Sequence, residues 1–111
     1  MYKAIIFVAI SIMLIACSDD TSSTYKYEVT GTAGRYSVSI LDEFDQTKLK
    51  GIVGNNWTYS WNQIGKRYIF IIAQNYEKQG TVTVSIYKNG KQIATDTKNG
   101  ADAIASISGK Y

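Results

Sequence analysis

The residues that most often carry out catalysis are scarce in this chain. Its 111 residues include no histidine and one cysteine, Cys17. Histidine is the usual general base near neutral pH, and cysteine and histidine supply most zinc ligands and thiol nucleophiles. No glycine-rich phosphate-binding loop occurs either. We therefore expect a protein that is not an enzyme and that has no cofactor and no metal site.

Carboxylates are the remaining candidates for acid–base chemistry, and three of them cluster at Asp42, Glu43 and Asp45. A glycosidase needs two carboxyls held across a cleft, one of them desolvated so that its pKa rises. Three neighbours in one acidic stretch are more typical of a solvated loop at the tip of a hairpin. Weak calcium binding is the alternative for this stretch.

An aromatic row is the feature that most suggests binding. Trp57, Tyr59 and Trp61 alternate with small polar residues, which places all three rings on one face of a strand. Planar rings in a row can stack on sugar rings or on lipid chains. They can equally fill the core of a small domain that has no disulfide, and this second interpretation is favoured for at least two of the three.

The first residues have the pattern of a secretory signal. Lys3 precedes an apolar run, Ala4 to Ala16, that is short for a membrane span but typical of the core of a signal peptide. The segment Leu14-Ile15-Ala16-Cys17 resembles the bacterial lipobox, whose cysteine is diacylated before cleavage. We predict a lipoprotein signal peptide over residues 1–16 and lipidation of Cys17, which would attach the protein to a membrane. The alternative is a short uncleaved anchor.

Residues 17–24 read as a lipidated cysteine followed by a polar tether, because SDDTSST contains no apolar side chain. Asp19 and Asp20 resemble an export signal found after the cysteine in some Gram-negative lipoproteins, although a solvated linker would look the same. We expect a bacterial envelope protein, lipid-anchored and placed at the outer membrane. A formal net charge of +3 is too small for a nucleic-acid-binding surface, so no nucleic-acid partner is expected.

The strands that must carry these residues are clearest between Gly80 and Asn99. Val82, Val84 and Ile86 alternate with polar residues, as in a strand with one buried face. Asn89-Gly90 then predicts a two-residue type I′ turn, because both residues tolerate positive φ. A lone hairpin is marginally stable in water, so the apolar face must pack on further strands.

The rest of the chain from Tyr25 onward repeats this pattern without proline or a helical period. Strands are predicted around 25–29, 36–40, 49–53, 57–61, 68–73 and 101–107, the fifth as a central strand covered on both faces because YIFIIA does not alternate. We therefore predict one all-β domain, residues 25–111, folded as an immunoglobulin-like antiparallel β-sandwich of about seven or eight strands.

Several short segments, in order, also resemble the MmpS family of small membrane-attached proteins that assist RND-type exporters. They are Tyr27-Glu28-Val29-Thr30-Gly31, Trp57 with Trp61, Ala73-Gln74-Asn75, Ile86 to Lys91 and Ala105 to Gly109. The resemblance implies a β-sandwich that acts as a transport accessory, with an RND-type transporter or another envelope protein as its partner.

Two departures from the MmpS pattern accompany this resemblance. The resemblance places Val84 and Ile107 where actinobacterial members carry cysteines, so an apolar pair in contact would replace a disulfide. Those members also use a transmembrane helix where this chain has a lipobox. The expected function is therefore a membrane-anchored accessory or protein-interaction lipoprotein. The alternative is a surface lipoprotein that captures glycan or lipid on Trp57, Tyr59 and Trp61.

Overall fold

The computed structural model describes residues 22–111. The predicted signal peptide, residues 1–16, and the predicted lipidation site, Cys17, lie outside the described residues. The described part contains strands and no helix, so no helix in it could cross a membrane. The eight strands are β1 (Ser22–Thr30), β2 (Arg35–Leu41), β3 (Thr47–Gly54), β4 (Trp57–Ile64), β5 (Tyr68–Asn75), β6 (Thr81–Lys88), β7 (Lys91–Asn99) and β8 (Ile104–Lys110).

These strands form two antiparallel sheets of four strands each. Sheet I has the order β4-β1-β6-β7 and sheet II the order β3-β2-β5-β8. Most neighbours within a sheet are not neighbours in sequence, so the chain crosses repeatedly between the two layers. The predicted all-β antiparallel sandwich of seven or eight strands is confirmed, with eight strands.

The β6–β7 hairpin has the turn that its sequence predicts. Asn89 and Gly90 have φ angles of 52° and 82°, both in the left-handed region that a type I′ turn requires. The register shifts between Ile86 and Tyr87, shortly before this turn, so the β6–β7 pair contains a bulge close to the turn.

The core lies between the two sheets and comes from the alternating faces read in the sequence. Its fully buried side chains include Tyr25, Tyr27, Val29, Tyr36, Val38, Ile40, Ile71, Val82, Val84 and Ile86. Val84 of sheet I and Ile107 of sheet II belong to the same buried cluster. Their direct contact, which the MmpS resemblance implies, stays a prediction.

One open side of the sandwich, between the edge strands β7 and β8, is closed by a carboxylate. Asp96 pairs with Val84 across the β6–β7 ladder and so lies on the inward face of β7. It accepts hydrogen bonds from Lys98 Nζ at 2.8 Å and from the backbone N–H of Ser106 in β8 at 3.0 Å. Both hydrogen bonds lower the pKa of Asp96, and the bond from Lys98 has the larger effect. An inward charge on an edge strand also discourages pairing with another chain.

Three details differ from the sequence-based prediction. β1 begins at Ser22, three residues before the predicted start, because Ser22 pairs with Ile64 of β4. β8 begins at Ile104 and not at Ala101, because a turn at Gly100 with a hydrogen bond from Ala103 N occupies the preceding residues. β5 lies between β2 and β8, as expected for a central strand, but the prediction that both its faces are covered is wrong. Its outer face is half-exposed, because no described element covers sheet II on that side.

Candidate functional site

The predicted aromatic row lies on the inward face of β4, the edge strand of sheet I. Trp61 is buried, with 7% of its surface exposed, whereas Trp57 and Tyr59 are half-buried against the core. The three rings are successive neighbours, with centroids 6.5 Å apart for Trp57 and Tyr59 and 6.1 Å for Tyr59 and Trp61. The structure thus brings the three predicted residues together, although they differ in burial.

Trp61 is a structural residue of the core. Its ring lies 4.7 Å from that of Tyr27 and 5.6 Å from that of Tyr25, centroid to centroid. Its indole N–H donates to Gln63 Oε1 at 2.8 Å, which satisfies its one polar group. An external ligand would have to displace packed core residues to reach this ring.

Tyr59 is held by contacts from the opposite sheet. Its hydroxyl donates to Glu43 Oε1 at 2.7 Å, and Lys50 Nζ lies 4.7 Å from the ring centroid. The hydrogen bond to Glu43, together with burial, raises the pKa of Tyr59 to about 12. The open side between the edge strands β3 and β4 is therefore bridged by Tyr59, and one face of its ring is occupied by a cation.

Trp57 and Tyr59 form the part of the row that a small molecule could approach. Their rings are nearly parallel, with an interplanar angle of 18°. Neither ring is among the exposed large side chains, so they do not offer the broad open platform of two bare rings.

The acidic cluster is organised differently from the solvated tip expected from the sequence. Asp42 is buried, and its carboxylate accepts the backbone N–H groups of Phe44 and Gln46, both at 2.9 Å. Burial alone would raise the pKa of Asp42, but these two bonds and the positive charges of Lys48 and Arg67 together outweigh it, so the pKa is lowered. The turn explains why Asp42 is buried: the N–H groups of a short loop need local acceptors, so the Asp42 side chain folds back onto the loop to bond them.

The other two carboxylates of this loop have separate partners. Glu43 accepts from Tyr59, and Asp45 pairs with Arg67. Among residues 22–111, no group of three or more carboxylate or thiol side chains is arranged to hold a metal ion. The loop is a structural turn in which each acid holds a different part of the fold.

The sequence reasoning missed the outer face of sheet II, which carries an apolar surface. Leu49 and Ile52 of β3 are 73% and 48% exposed and pair with Ser39 and Ser37 of β2. The register shift between Val38 and Ser39 places both Leu49 and Ile52 outward although they are three residues apart.

The same surface continues across the sheet. Ile72 of β5 pairs with Ser39 on one side and with Ser106 of β8 on the other, and Phe70 pairs with Ser108. We call this surface the apolar face of sheet II: Leu49, Ile52, Phe70, Ile72 and Ile104, with serines between them. The sequence carries a signal for this face in runs such as YIFIIA, where apolar residues do not alternate with polar ones. The same pattern is expected for a strand whose outer face is exposed and for one whose outer face is covered by a second layer.

The outer face of sheet I is polar, and its groups bond to one another. Thr83 and Thr97 share a hydrogen bond of 2.8 Å, and Ser85 and Thr95 share one of 3.1 Å. The hydroxyl of Tyr87 donates to Glu28 at 3.1 Å. The two outer faces of the sandwich therefore differ in character: the polar groups named on sheet I are hydrogen-bonded to one another, whereas the outer face of sheet II exposes apolar side chains.

No family model and no curated protein sequence matches this chain.

Proposed function

We propose that this protein is a lipid-anchored, non-catalytic interaction module of the bacterial cell envelope, serving as an accessory to a transporter in the manner of MmpS proteins. The observation that carries the proposal is the apolar face of sheet II. Soluble monomeric domains seldom leave a contiguous apolar sheet surface uncovered, and such surfaces are typical of protein-binding sites.

The chemistry of this face favours a protein partner. Leucine, isoleucine and phenylalanine side chains are separated by serines, so the surface mixes apolar area with small hydroxyl groups. Specific protein interfaces have an apolar centre with scattered polar groups and bury roughly 800 Å² on each partner. An RND-type transporter or another envelope protein with a matching apolar surface is the proposed occupant.

The anchor is proposed from the sequence around Cys17. The order of basic residue, apolar run, small residue and cysteine supports acylation of Cys17 and removal of residues 1–16. Two or three acyl chains hold a protein firmly, because each buried CH₂ contributes about 0.8 kcal/mol. Changing Cys17→Ser should release the protein from the membrane fraction, and continued association of this variant would contradict the lipid anchor.

The partner surface is tested by photo-crosslinking in intact cells. A photoreactive amino acid at Leu49, in the apolar face, should give a discrete crosslinked band, whereas the same group at Thr97 on the polar outer face should not. The Ile52→Glu substitution places a charge in the apolar face and should abolish the Leu49 band. All three changed positions, Leu49, Ile52 and Thr97, are exposed, so stability should shift by no more than about 0.5 kcal/mol.

The identity of the crosslinked protein decides the transport part of the proposal. A transporter subunit in the Leu49 band supports the accessory role, and a different envelope protein supports interaction but contradicts the MmpS-like role. Equal crosslinking from Leu49 and Thr97, or no effect of Ile52→Glu, would contradict the assignment of the apolar face.

A second candidate is capture of a glycan or lipid at Trp57 and Tyr59, favoured by their nearly parallel rings. Ligand stacking should change tryptophan fluorescence on titration with soluble glycans or short-chain lipids. The Trp57→Leu variant should lose that change while buried Trp61 still reports an intact fold. An unchanged response in this variant would rule the pair out.

A further inference from the structure

The end of the sandwich where β1 begins collects several chain segments, and we call it the tether end. Ser22 pairs with Ile64 at the end of β4. The N–H of Thr24 donates to Asn89 Oδ1 at 2.9 Å, and the N–H of Asn89 donates to Thr24 O at 2.7 Å. The β6–β7 turn therefore lies beside the start of β1.

Sheet II contributes its own segments to the same end. Arg67, just before β5, exchanges backbone hydrogen bonds with Tyr111, at 3.3 and 3.1 Å. The guanidinium of Arg67 also donates to the carbonyl oxygens of Asp42 and Glu43 and pairs with Asp45, which fixes the β2–β3 loop. Across the sandwich, the hydroxyl of Tyr25 donates to Tyr111 O at 3.1 Å, which joins the two sheets here.

Three large apolar or aromatic side chains are exposed at the tether end: Phe44 in the β2–β3 loop, Ile64 on the outer face of sheet I and Tyr68 on the outer face of sheet II. Phe44, Ile64 and Tyr68 are 74%, 64% and 55% exposed, respectively. Phe44 lies in the loop that Arg67 holds, and Ile64 and Tyr68 are within three residues of Arg67 in sequence. The apolar side chains are thus attached to a hydrogen-bonded framework and not to a free terminus.

Four lysines lie at the same end of the sandwich. Lysines at the tether end are Lys66, Lys88, Lys91 and Lys110. The acids of the β2–β3 loop are engaged within the fold, through the N–H groups, the tyrosine hydroxyl and the arginine described above. Exposed aromatic and aliphatic side chains together with lysines match the interfacial region of a bilayer, where rings sit at headgroup depth and lysines reach anionic lipids.

The length of the tether selects the occupant of this end. Cys17 is five residues before Ser22, so a fully extended connection spans about 18 Å at most. If Cys17 is acylated, as the proposed function holds, the end beside Ser22 stays within that distance of the lipid. A membrane is therefore the surface that the exposed side chains of this end meet first.

We propose that the tether end docks on the anchoring bilayer, with Phe44, Ile64 and Tyr68 in the interface and the lysines on anionic headgroups. The domain then stands upright, and the apolar face of sheet II points along the membrane plane. This inference rests on the proposed lipid anchor but adds a defined orientation to it.

The opposite end supplies a matched control. Tyr76 follows β5 directly, is 56% exposed and therefore closely matches Tyr68 in type and exposure. Eight residues of extended chain separate the two tyrosines, roughly 26 Å along the strand. Only one of them should reach lipid if the domain stands on its tether end.

The experiment labels single cysteines with an environment-sensitive fluorophore on the acylated full chain reconstituted into vesicles. The native Cys17 is blocked by acylation, so Phe44→Cys, Tyr68→Cys and Tyr76→Cys each offer one reactive thiol. In phosphatidylethanolamine–phosphatidylglycerol vesicles, probes at positions 44 and 68 should show a blue-shifted emission and quenching by nitroxide-labelled lipids. The probe at position 76 should show neither.

Each outcome separates docking from anchoring. Phe44→Ser should reduce quenching at position 68 while the protein still floats with the vesicles, because the anchor is intact. Replacing the anionic lipid by phosphatidylcholine should weaken the blue shift, because the lysines then lose their anionic partners, and an unchanged shift would contradict their role. Water-exposed probes at 44 and 68 on a floating protein would overturn the inference and leave the anchor standing. A protein that does not float would instead overturn the lipid anchor.

Discussion

Tyr27→Phe removes one oxygen atom from between the two sheets, and the structure predicts a large loss of stability. Tyr27 is fully buried in β1 of sheet I, yet its hydroxyl reaches sheet II. It donates to Leu41 O at 2.9 Å and accepts from the N–H of Phe70 at 3.2 Å. Ile40 and Ile71 form the last pair of the β2–β5 ladder, so the hydroxyl joins the two strands immediately beyond it.

The size of the effect follows from the two backbone groups that lose their partner. Leaving a buried polar group unsatisfied costs about 1–3 kcal/mol, and partial hydration of one group would lessen the sum. We expect the free energy of unfolding to fall by about 2–3 kcal/mol. For a domain of this size, that corresponds to a decrease in Tm of roughly 10–20 °C.

The assay is urea unfolding of the chain from residue 17 with Cys17→Ser, so that it is free of detergent. Tyr25→Phe is the matched control, because Tyr25 is equally buried but its hydroxyl makes a single bond, to Tyr111 O, and that carbonyl oxygen still accepts from the N–H of Arg67. Tyr25→Phe should cost about 1 kcal/mol or less. Equal losses in the two variants would refute the bridging role of Tyr27.

High pH provides a second measure of the same group. Burial is the main cause that raises the pKa of Tyr27 to about 12, from an ordinary value near 10. A raised folded-state pKa means that the contribution of this group is complete below about pH 10 and is lost between about pH 10 and 12. Tyr27→Phe should therefore unfold with a weaker dependence on pH in that window than the parent chain does.

Three further predictions test the fold. The double variant Val84→Cys/Ile107→Cys should form a disulfide on oxidation, seen by thiol counting, and two persistently free thiols would contradict the MmpS-like alignment. Gly31→Ala should lower the free energy of unfolding by about 3 kcal/mol or more, because the φ angle of Gly31 is +143° and an added Cβ would lie 2.2 Å from Thr81 O. Gly54→Ala is the control: its added Cβ would meet open space, so stability should change by about 0.5 kcal/mol or less. Asp96→Asn should lower the free energy of unfolding at neutral pH and make it depend less on pH under acid conditions. A carboxylate whose folded-state pKa is lowered contributes stability that is lost as pH falls below about 4. An unchanged acid dependence would contradict the role of this carboxylate.

Much of the fold follows from the sequence because its signals are local. Alternation in β1, β2 and β6 identified the buried faces, and Asn89-Gly90 identified the hairpin turn, since both depend on neighbouring residues only. The sequence pattern predicts a start of β1 three residues late, because Ser22 to Thr24 are strand residues only through pairing with β4. Pairing between strands that are distant in sequence leaves no local signal.

The candidate sites were harder to predict for the same reason. The aromatic row was correctly placed on one face of β4, but its graded burial depends on Lys50 and Glu43 from the other sheet. Asp42 looked like a solvated acid, and only the closed turn shows it accepting two N–H groups. The apolar face of sheet II was hidden, because an unbroken apolar strand reads the same whether its second face is covered or bare.

The sequence alone determined that this chain makes an antiparallel sandwich, because a two-residue period and turn-forming dipeptides act over a few residues. It also supplied the pattern that predicts an anchor at Cys17. Only the tertiary structure decided which strands lie at the edges, which outer face is apolar, and that Phe44, Ile64 and Tyr68 share the end where β1 begins. Those properties arise from the order of strands in the sheets, which depends on contacts between residues far apart in the chain.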